Sequence, residues 1–198
     1  MFHRFAVLWA SLVVFSLAAA AAPAQLEDPA PRVKVTTSLG SFVIKLDRAH
    51  APKTVENFLT YVREGHYDGM VFYRVAPGFV VQTGSYDAKG KYHAPAHRPI
   101  PLETAGGLSN VSGTVTMARQ DEPNSAIAEW FINIVDNGNL DAVPGEPPNT
   151  TGYAVFGTVL EGMDVVDRIA RAKTGGVGPF GEKFAPLKPV VIKSAKVM

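Results

Sequence analysis

The strongest constraint on how this chain can fold is its rhythm of short β-rich runs, each cut off by Gly, Pro or Asn, with helical spacing at only two places. Residues 33–35 and 42–46 alternate apolar and polar side chains with the period of two that a half-buried strand requires. Ser38-Leu39-Gly40-Ser41 between them supplies a hairpin turn. Further runs at 71–75, 79–83, 113–118, 130–135, 154–160 and 189–197 bring the count to about eight strands. Pro52 stands where a first-turn proline is tolerated, and Val55, Phe58, Leu59 and Val62 follow at i, i+3, i+4 and i+7 up to Gly65, which predicts one amphipathic helix. A second is predicted over 163–172, with Val165, Val166, Ile169 and Ala170 apolar and Asp164, Asp167, Arg168 and Arg171 polar. Many short strands with only two helices favour a barrel or sandwich over a parallel α/β sheet.

No internal repeat or interdomain linker interrupts this pattern, and 198 residues with 46% hydrophobic content suit a single domain. Two stretches lack periodicity. Residues 86–110 are rich in Gly, Pro, His and Lys, and residues 137–152 carry Pro144, Pro147 and Pro148. Long loops in a compact domain are either functional or flexible surface, and the sequence leaves both readings open.

The first 24 residues differ in kind from the rest: His3 and Arg4, an uncharged apolar run over 5–22, then Ala22-Pro23-Ala24, a small-x-small cleavage signal. They read as a signal peptide over 1–24, followed by a flexible lead-in over 25–31. The alternative is an uncleaved anchor, since the run approaches the roughly 20 residues that span a bilayer. Its alanine-rich end and the absence of a following Lys/Arg cluster favour cleavage. The expected location is the periplasm.

Beyond the leader the acidic and basic residues balance, so nothing points to electrostatic capture of nucleic acid, or of a membrane once the leader is removed. The chain has no cysteine, which excludes disulfides, thiol nucleophiles and thiolate metal sites. His93 and His97 have the i, i+4 spacing of a zinc pair, but Pro95 between them disfavours the helix such a pair needs. No phosphate loop, dinucleotide fingerprint or Gly-x-Ser-x-Gly elbow appears, and the glycine-rich stretch at 175–178 reads as a turn.

The one charged residue in an unexpected setting is Arg74, inside Phe72-Tyr73-Arg74-Val75-Ala76-Pro77-Gly78-Phe79-Val80-Val81-Gln82. A guanidinium is permanently charged and costly to bury without partners, so Arg74 is either a strand residue with a solvated head or a group held for a purpose. This segment, with Thr83-Gly84, resembles the signature of the cyclophilin-type peptidyl-prolyl cis-trans isomerases, in which an aromatic and a His-Arg pair lead to Pro-Gly-Phe and a glutamine. Gly113-Thr-Val-Thr-Met-Ala118, Trp130-Phe-Ile-Asn133, Asn139-Leu-Asp141 and Gly152-Tyr-Ala-Val-Phe-Gly157 follow in that family's order and at its approximate spacings. The likeness covers about 32–197, taken as the isomerase domain, and is similar to the bacterial exported branch in particular.

The resemblance implies a mainly β fold, a closed eight-stranded antiparallel barrel capped by two α-helices, in agreement with the count of runs. It assigns the catalytic role to Arg74 and the substrate-binding groove to Phe79, Val80, Gln82, Ala118, Arg119, Glu129, Phe131, Leu140 and Tyr153. On composition alone Phe79, Val80, Phe131, Leu140 and Tyr153 would be read as core. The implied partners are proline-containing unfolded or partly folded polypeptides, met by a monomer with no cofactor and no metal.

Three positions depart from the family pattern. Glu129 stands where a second groove glutamine is usual and can pair with Arg74, implying a modest loss of efficiency with a pH dependence. Asn139 replaces a common aromatic, which implies weak or no inhibition by cyclosporin. Tyr153 stands where eukaryotic members have histidine, and the loop before it is lengthened. These departures keep open a second reading, a proline-recognising chaperone or binding module with incidental turnover. A small-ligand barrel with an open interior is disfavoured, since this family fills its interior.

Overall fold

The computed structural model describes residues 28–175 and 183–198. The expected signal peptide over 1–24 lies outside the described residues, as do the start of the lead-in at 25–27 and most of the glycine-rich turn at 175–178. Of the lead-in, Pro29 and Pro31 accept hydrogen bonds from the amides of Arg48 and Leu46, so its last residues run beside the end of the second strand.

Eight strands form one antiparallel sheet: β1 Arg32–Thr37, β2 Gly40–Leu46, β3 Arg74–Ala76, β4 Val80–Thr83, β5 Thr114–Met117, β6 Trp130–Asn133, β7 Val155–Glu161 and β8 Ile192–Val197. Their spatial order is β3-β4-β6-β5-β7-β2-β1-β8. Among the described residues two helices, α1 Pro52–Arg63 and α2 Met163–Ala170, accompany the sheet, with a 3-10 turn at Gly138–Leu140. Each run read as a strand is present with shifted ends; the largest shifts are at the starts of the 71–75 and 189–197 runs, whose strands begin only at Arg74 and Ile192. The second helix stops at Ala170, two residues before the expected end.

The expected closed barrel is not formed: the sheet is open between its edge strands β3 and β8. The physical reason lies at the edges themselves. The Val75 amide of β3 donates outward to Phe184 O at 2.9 Å, so a segment that precedes β8 takes that edge. β8 meets the chain before β3 instead: Gly69 donates to Ile192 O at 2.8 Å, Ile192 to Met70 O at 2.7 Å and Phe72 to Val190 O at 3.0 Å, around the isolated Val71–Val191 bridge. Pro189, with no N–H to give, adds nothing to a ladder on that side.

The sheet curls around the main core. From α1, Val55, Phe58 and Leu59 are fully buried, each worth about 1.5–3 kcal/mol of burial. Phe58 meets Trp130 edge-on at 5.7 Å between ring centres and Phe156 at 5.1 Å. The N-terminus of α1 is capped from outside: Glu103, in the long 86–110 loop, accepts from the amides of Lys53 at 3.1 Å and Thr54 at 2.8 Å. A carboxylate there satisfies orphan amides and suits the helix dipole, and it fastens the loop. Gly65, at φ 70, ends the helix in the left-handed conformation that glycine adopts without strain. α1 packs on β7 and β8, and α2 on β2.

Candidate active site

Apart from the main core, a small apolar cluster forms on β3, β4 and β6, where Ala76, Val80 and Phe131 are buried and Phe79, Ala118, Leu140 and Tyr153 pack against them. It forms because side chains alternate across a strand: Val81 and Ile132 point into the main core, so Val80 and Phe131 must face the other way. Phe131 and Tyr153 meet edge-on at 6.0 Å.

This cluster floors a pocket of about 170 Å³ lined by Arg74, Phe79, Val80, Gln82, Ala118, Arg119, Phe131, Leu140 and Tyr153. Nine of the ten residues named from the sequence therefore share one hollow. The tenth, Glu129, lies in an adjoining hollow of about 150 Å³ that shares Gln82, Ala118 and Arg119 with the first. A larger hollow of about 500 Å³, around Leu46, Leu108 and Val155, shares no lining residue with either.

Arg74 and Gln82 are cross-strand partners in the β3–β4 register. The Arg74 guanidinium donates from Nη1 to Gln82 Oε1 at 3.1 Å and lies 5.6 Å from the Phe79 ring centre, within cation–π range. Gln82 Nε2 donates in turn to Tyr73 Oη at 2.6 Å and to Glu129 Oε2 at 2.8 Å. Tyr73 donates to that same carboxylate oxygen at 2.7 Å, while Ser85 Oγ donates to Glu129 Oε1. Glu129 thus reaches Arg74 through Gln82. Gly84 permits the approach: it sits at φ +119, and a Cβ there would stand 2.8 Å from Ala128 O and from Glu129 Cα.

Arg119 is used differently. Its Nε donates to Gly152 O at 2.8 Å, its Nη1 donates to Gln120 O and Asp121 O, and its guanidinium carbon lies 4.8 Å from the Tyr153 ring centre. The Ala118 amide is bonded to Glu129 O at 2.9 Å.

The wall that carries Leu140 rests on a buried polar network. Asn137 Nδ2 donates to Asn133 Oδ1 at 2.8 Å and to Phe79 O at 3.1 Å. Asn133 Nδ2 donates to Thr114, Thr116 and Asn110. The Asn110 amide and Nδ2 both donate to Asp141 Oδ1, and Ser109 Oγ donates to Oδ2. Burial pushes the Asp141 carboxyl upward, but the hydrogen bonds from Ser109 and Asn110 outweigh it and hold it below its ordinary range. Sequence reasoning missed Tyr73, Ser85, Asn110 and Asn137 as supports of the site. The one available signal was Asn133, a polar residue amid Trp130, Phe131 and Ile132 in a run otherwise fit for burial.

His93 and His97 do not meet in one site. His93 pairs with Asp87 at 3.0 Å and His97 with Glu64 at 2.8 Å. The His93 hydrogen bond, with those from the amides of Lys91 and Lys89, draws Asp87 down to about 2. Among the described residues no three metal-ligating side chains cluster.

The family model for cyclophilin type peptidyl-prolyl cis-trans isomerase/CLD matches residues 32–197. The chain belongs to the cyclophilin-type peptidyl-prolyl cis-trans isomerases. It is 48% identical over 166 residues to peptidyl-prolyl cis-trans isomerase cyp18 of Streptomyces antibioticus, covering 84% of this chain and 98% of that one. It is 42% identical over 192 residues to peptidyl-prolyl cis-trans isomerase A of Dickeya dadantii, covering 97% of each. A crystal structure of a Cryptosporidium parvum cyclophilin type isomerase superposes with a TM-score of 0.68 at 19% identity, over 85% of this chain and 98% of that one, and so shares the fold. The enzyme is accordingly an isomerase of prolyl peptide bonds, and the pocket around Arg74 is its candidate active site.

Proposed function

We propose that this isomerase acts in the pocket floored by Phe79, Val80, Phe131, Leu140 and Tyr153, with Arg74 as its catalytic residue. The observation that carries this reading is a single one: a permanent cation with a rigid fork of donors lines the same 170 Å³ pocket as an apolar floor.

The chemistry asks little of the protein beyond this. Amide resonance sets a rotation barrier of about 18–20 kcal/mol, and unaided X-Pro isomerisation takes tens to hundreds of seconds. Reaching milliseconds needs roughly 10⁴- to 10⁵-fold acceleration, or about 5.5–7 kcal/mol of preferential stabilisation of the twisted state. In that state resonance is lost and the nitrogen lone pair accepts a hydrogen bond that the planar amide cannot. Arg74 donates it, and the apolar floor holds the ring while the rest of the peptide turns. Gln82 orients the guanidinium. Ala118 and Arg119 border the groove, and Glu129 acts behind it.

The substrates are proline-containing stretches of unfolded or partly folded polypeptides, handled by a monomer after export to the periplasm and removal of residues 1–24. The apolar run over 5–22 and the Ala22-Pro23-Ala24 cleavage pattern support the export reading. N-terminal sequencing of the protein from a periplasmic fraction is expected to begin at Gln25; a full-length chain retained inside the cell overturns it. Isomerase kinetics on a short X-Pro peptide test Arg74. Arg74→Ala is expected to lower kcat and kcat/KM together, by about 10²-fold, the usual cost of removing one transition-state donor. An unchanged kcat overturns the assignment.

A further inference from the structure

An amide has two chemically opposite ends, so a glutamine orients a neighbour only if something orients the glutamine. At Gln82 the Arg74 side demands the oxygen, because a guanidinium is donor-only. The other end, Nε2, needs acceptors, and it has two: the Tyr73 hydroxyl at 2.6 Å and Glu129 Oε2 at 2.8 Å. Tyr73 accepts from Gln82 while passing its own proton donation to Glu129 Oε2 at 2.7 Å, and Ser85 Oγ donates to the second carboxylate oxygen. An ionised carboxylate is acceptor-only, so every donor in this group has an acceptor and the arrangement has one solution. With the amide reversed, N–H groups would face the guanidinium and the amide oxygen would face the carboxylate, donor on donor and acceptor on acceptor.

Tyr73 and Ser85 are buried, at 6% and 4% exposure, so water replaces these contacts poorly. Gly84 brings the Gln82–Ser85 segment against residues 128 and 129, where any side chain would force it away. A glutamine at 129 would lack this selectivity, since its own amide can present either end.

We infer that Glu129, held by Tyr73 and Ser85, is a positioning residue that locks the Gln82 amide in the one orientation that aims Arg74 into the pocket. The inference rests on the reading of Arg74 as the catalytic residue. Against the expectation that Glu129 lowers efficiency, it makes the departure at 129 a device for a single arginine pose, acting through Gln82.

The test is a double-mutant cycle on the purified protein with a short X-Pro peptide, with thermal unfolding followed for every variant. Glu129→Gln is expected to lower kcat about three- to tenfold while KM moves less than about twofold, because the pocket floor is untouched. Tyr73→Phe, which removes a donor to Glu129 together with an acceptor of Gln82, and Ser85→Ala, which removes one donor, are expected to lower kcat by a smaller factor in the same sense, and they carry the test if Glu129→Gln does not fold. In an Arg74→Ala background all three are expected to leave the residual kcat within about twofold, since a residue that works through Arg74 has nothing left to aim. Equal losses in both backgrounds, or no loss in either, overturn the inference and leave Arg74 standing. If Arg74→Ala alone costs nothing, the assignment of Arg74 falls and this inference with it.

Discussion

Two arginines line one pocket, and their surroundings divide the labour between them. Arg119 gives its donors to the main-chain carbonyls of Gly152, Gln120 and Asp121 and stacks on Tyr153. Those acceptors belong to the backbone, and binding them pins the end of the 137–152 loop against the segment after β5. Arg74 meets a side-chain amide and the Phe79 ring. A side-chain acceptor can be turned by its own neighbours, and here Tyr73 and Glu129 do the turning. On the proposed reading the same residue type therefore serves as a brace where the backbone holds it and as an aimed donor where a side chain does.

The largest effect should separate them in kinetics. Arg74→Ala is expected to cost about 10²-fold in kcat with the midpoint of thermal unfolding nearly unchanged. Arg74→Lys should not restore the rate, because an ammonium lacks the planar fork. Arg119→Ala should do the reverse, losing about 1–2 kcal/mol of stability and raising KM several-fold while kcat stays within about threefold. If the two variants lose kcat equally, the distinction between brace and donor is broken.

The parts of this molecule that were legible in the sequence are those carried by local chemistry. Alternation at 33–35 and 42–46, the proline at 52, the helical spacing from Val55 to Val62 and the stop at Gly65 each act within a few residues, and the corresponding elements are in place. Arg74 was legible as an anomaly; of the nine residues named from the resemblance that line one pocket, strand alternation places Arg74, Val80, Gln82 and Phe131 on one face, and the connecting segments carry Phe79, Ala118, Arg119, Leu140 and Tyr153 to it. Sheet closure was not legible. It turns on which segment takes the outer edge of β3, and the answer, Phe184 on the Val75 amide, lies 109 residues away in chain order with nothing in the local pattern to mark it. The same holds for Glu129: the family resemblance brought it to the site and suggested contact with Arg74, while the interposed Gln82 amide is a property of side-chain geometry.

The smallest expected effect concerns the wall that neither arginine holds. Leu140 follows Asn137 and precedes Asp141, and its amide is bonded to Asn137 O at 2.8 Å, while its carbonyl accepts from the Tyr153 amide at 2.9 Å. Asp141 anchors this turn by accepting from Asn110 and Ser109, which hold its carboxyl below the ordinary range although burial alone would raise it. A carboxyl depressed in the folded state contributes stability that is fully present above its unfolded pKa, about 3.9, and is lost as pH falls through the lower folded value. Thermal unfolding of the native protein should therefore weaken with acid below about pH 4, beyond what other carboxylates impose. Asp141→Asn cannot ionise and should start less stable at neutral pH, with its deficit shrinking as the pH is lowered through that window. Because Asn110 and Ser109 secure the turn without either arginine, the deficit should be the same in Arg74→Ala, and close to the same in Arg119→Ala. A deficit that vanished in Arg119→Ala would join the turn to the brace and leave only one independent wall in the pocket.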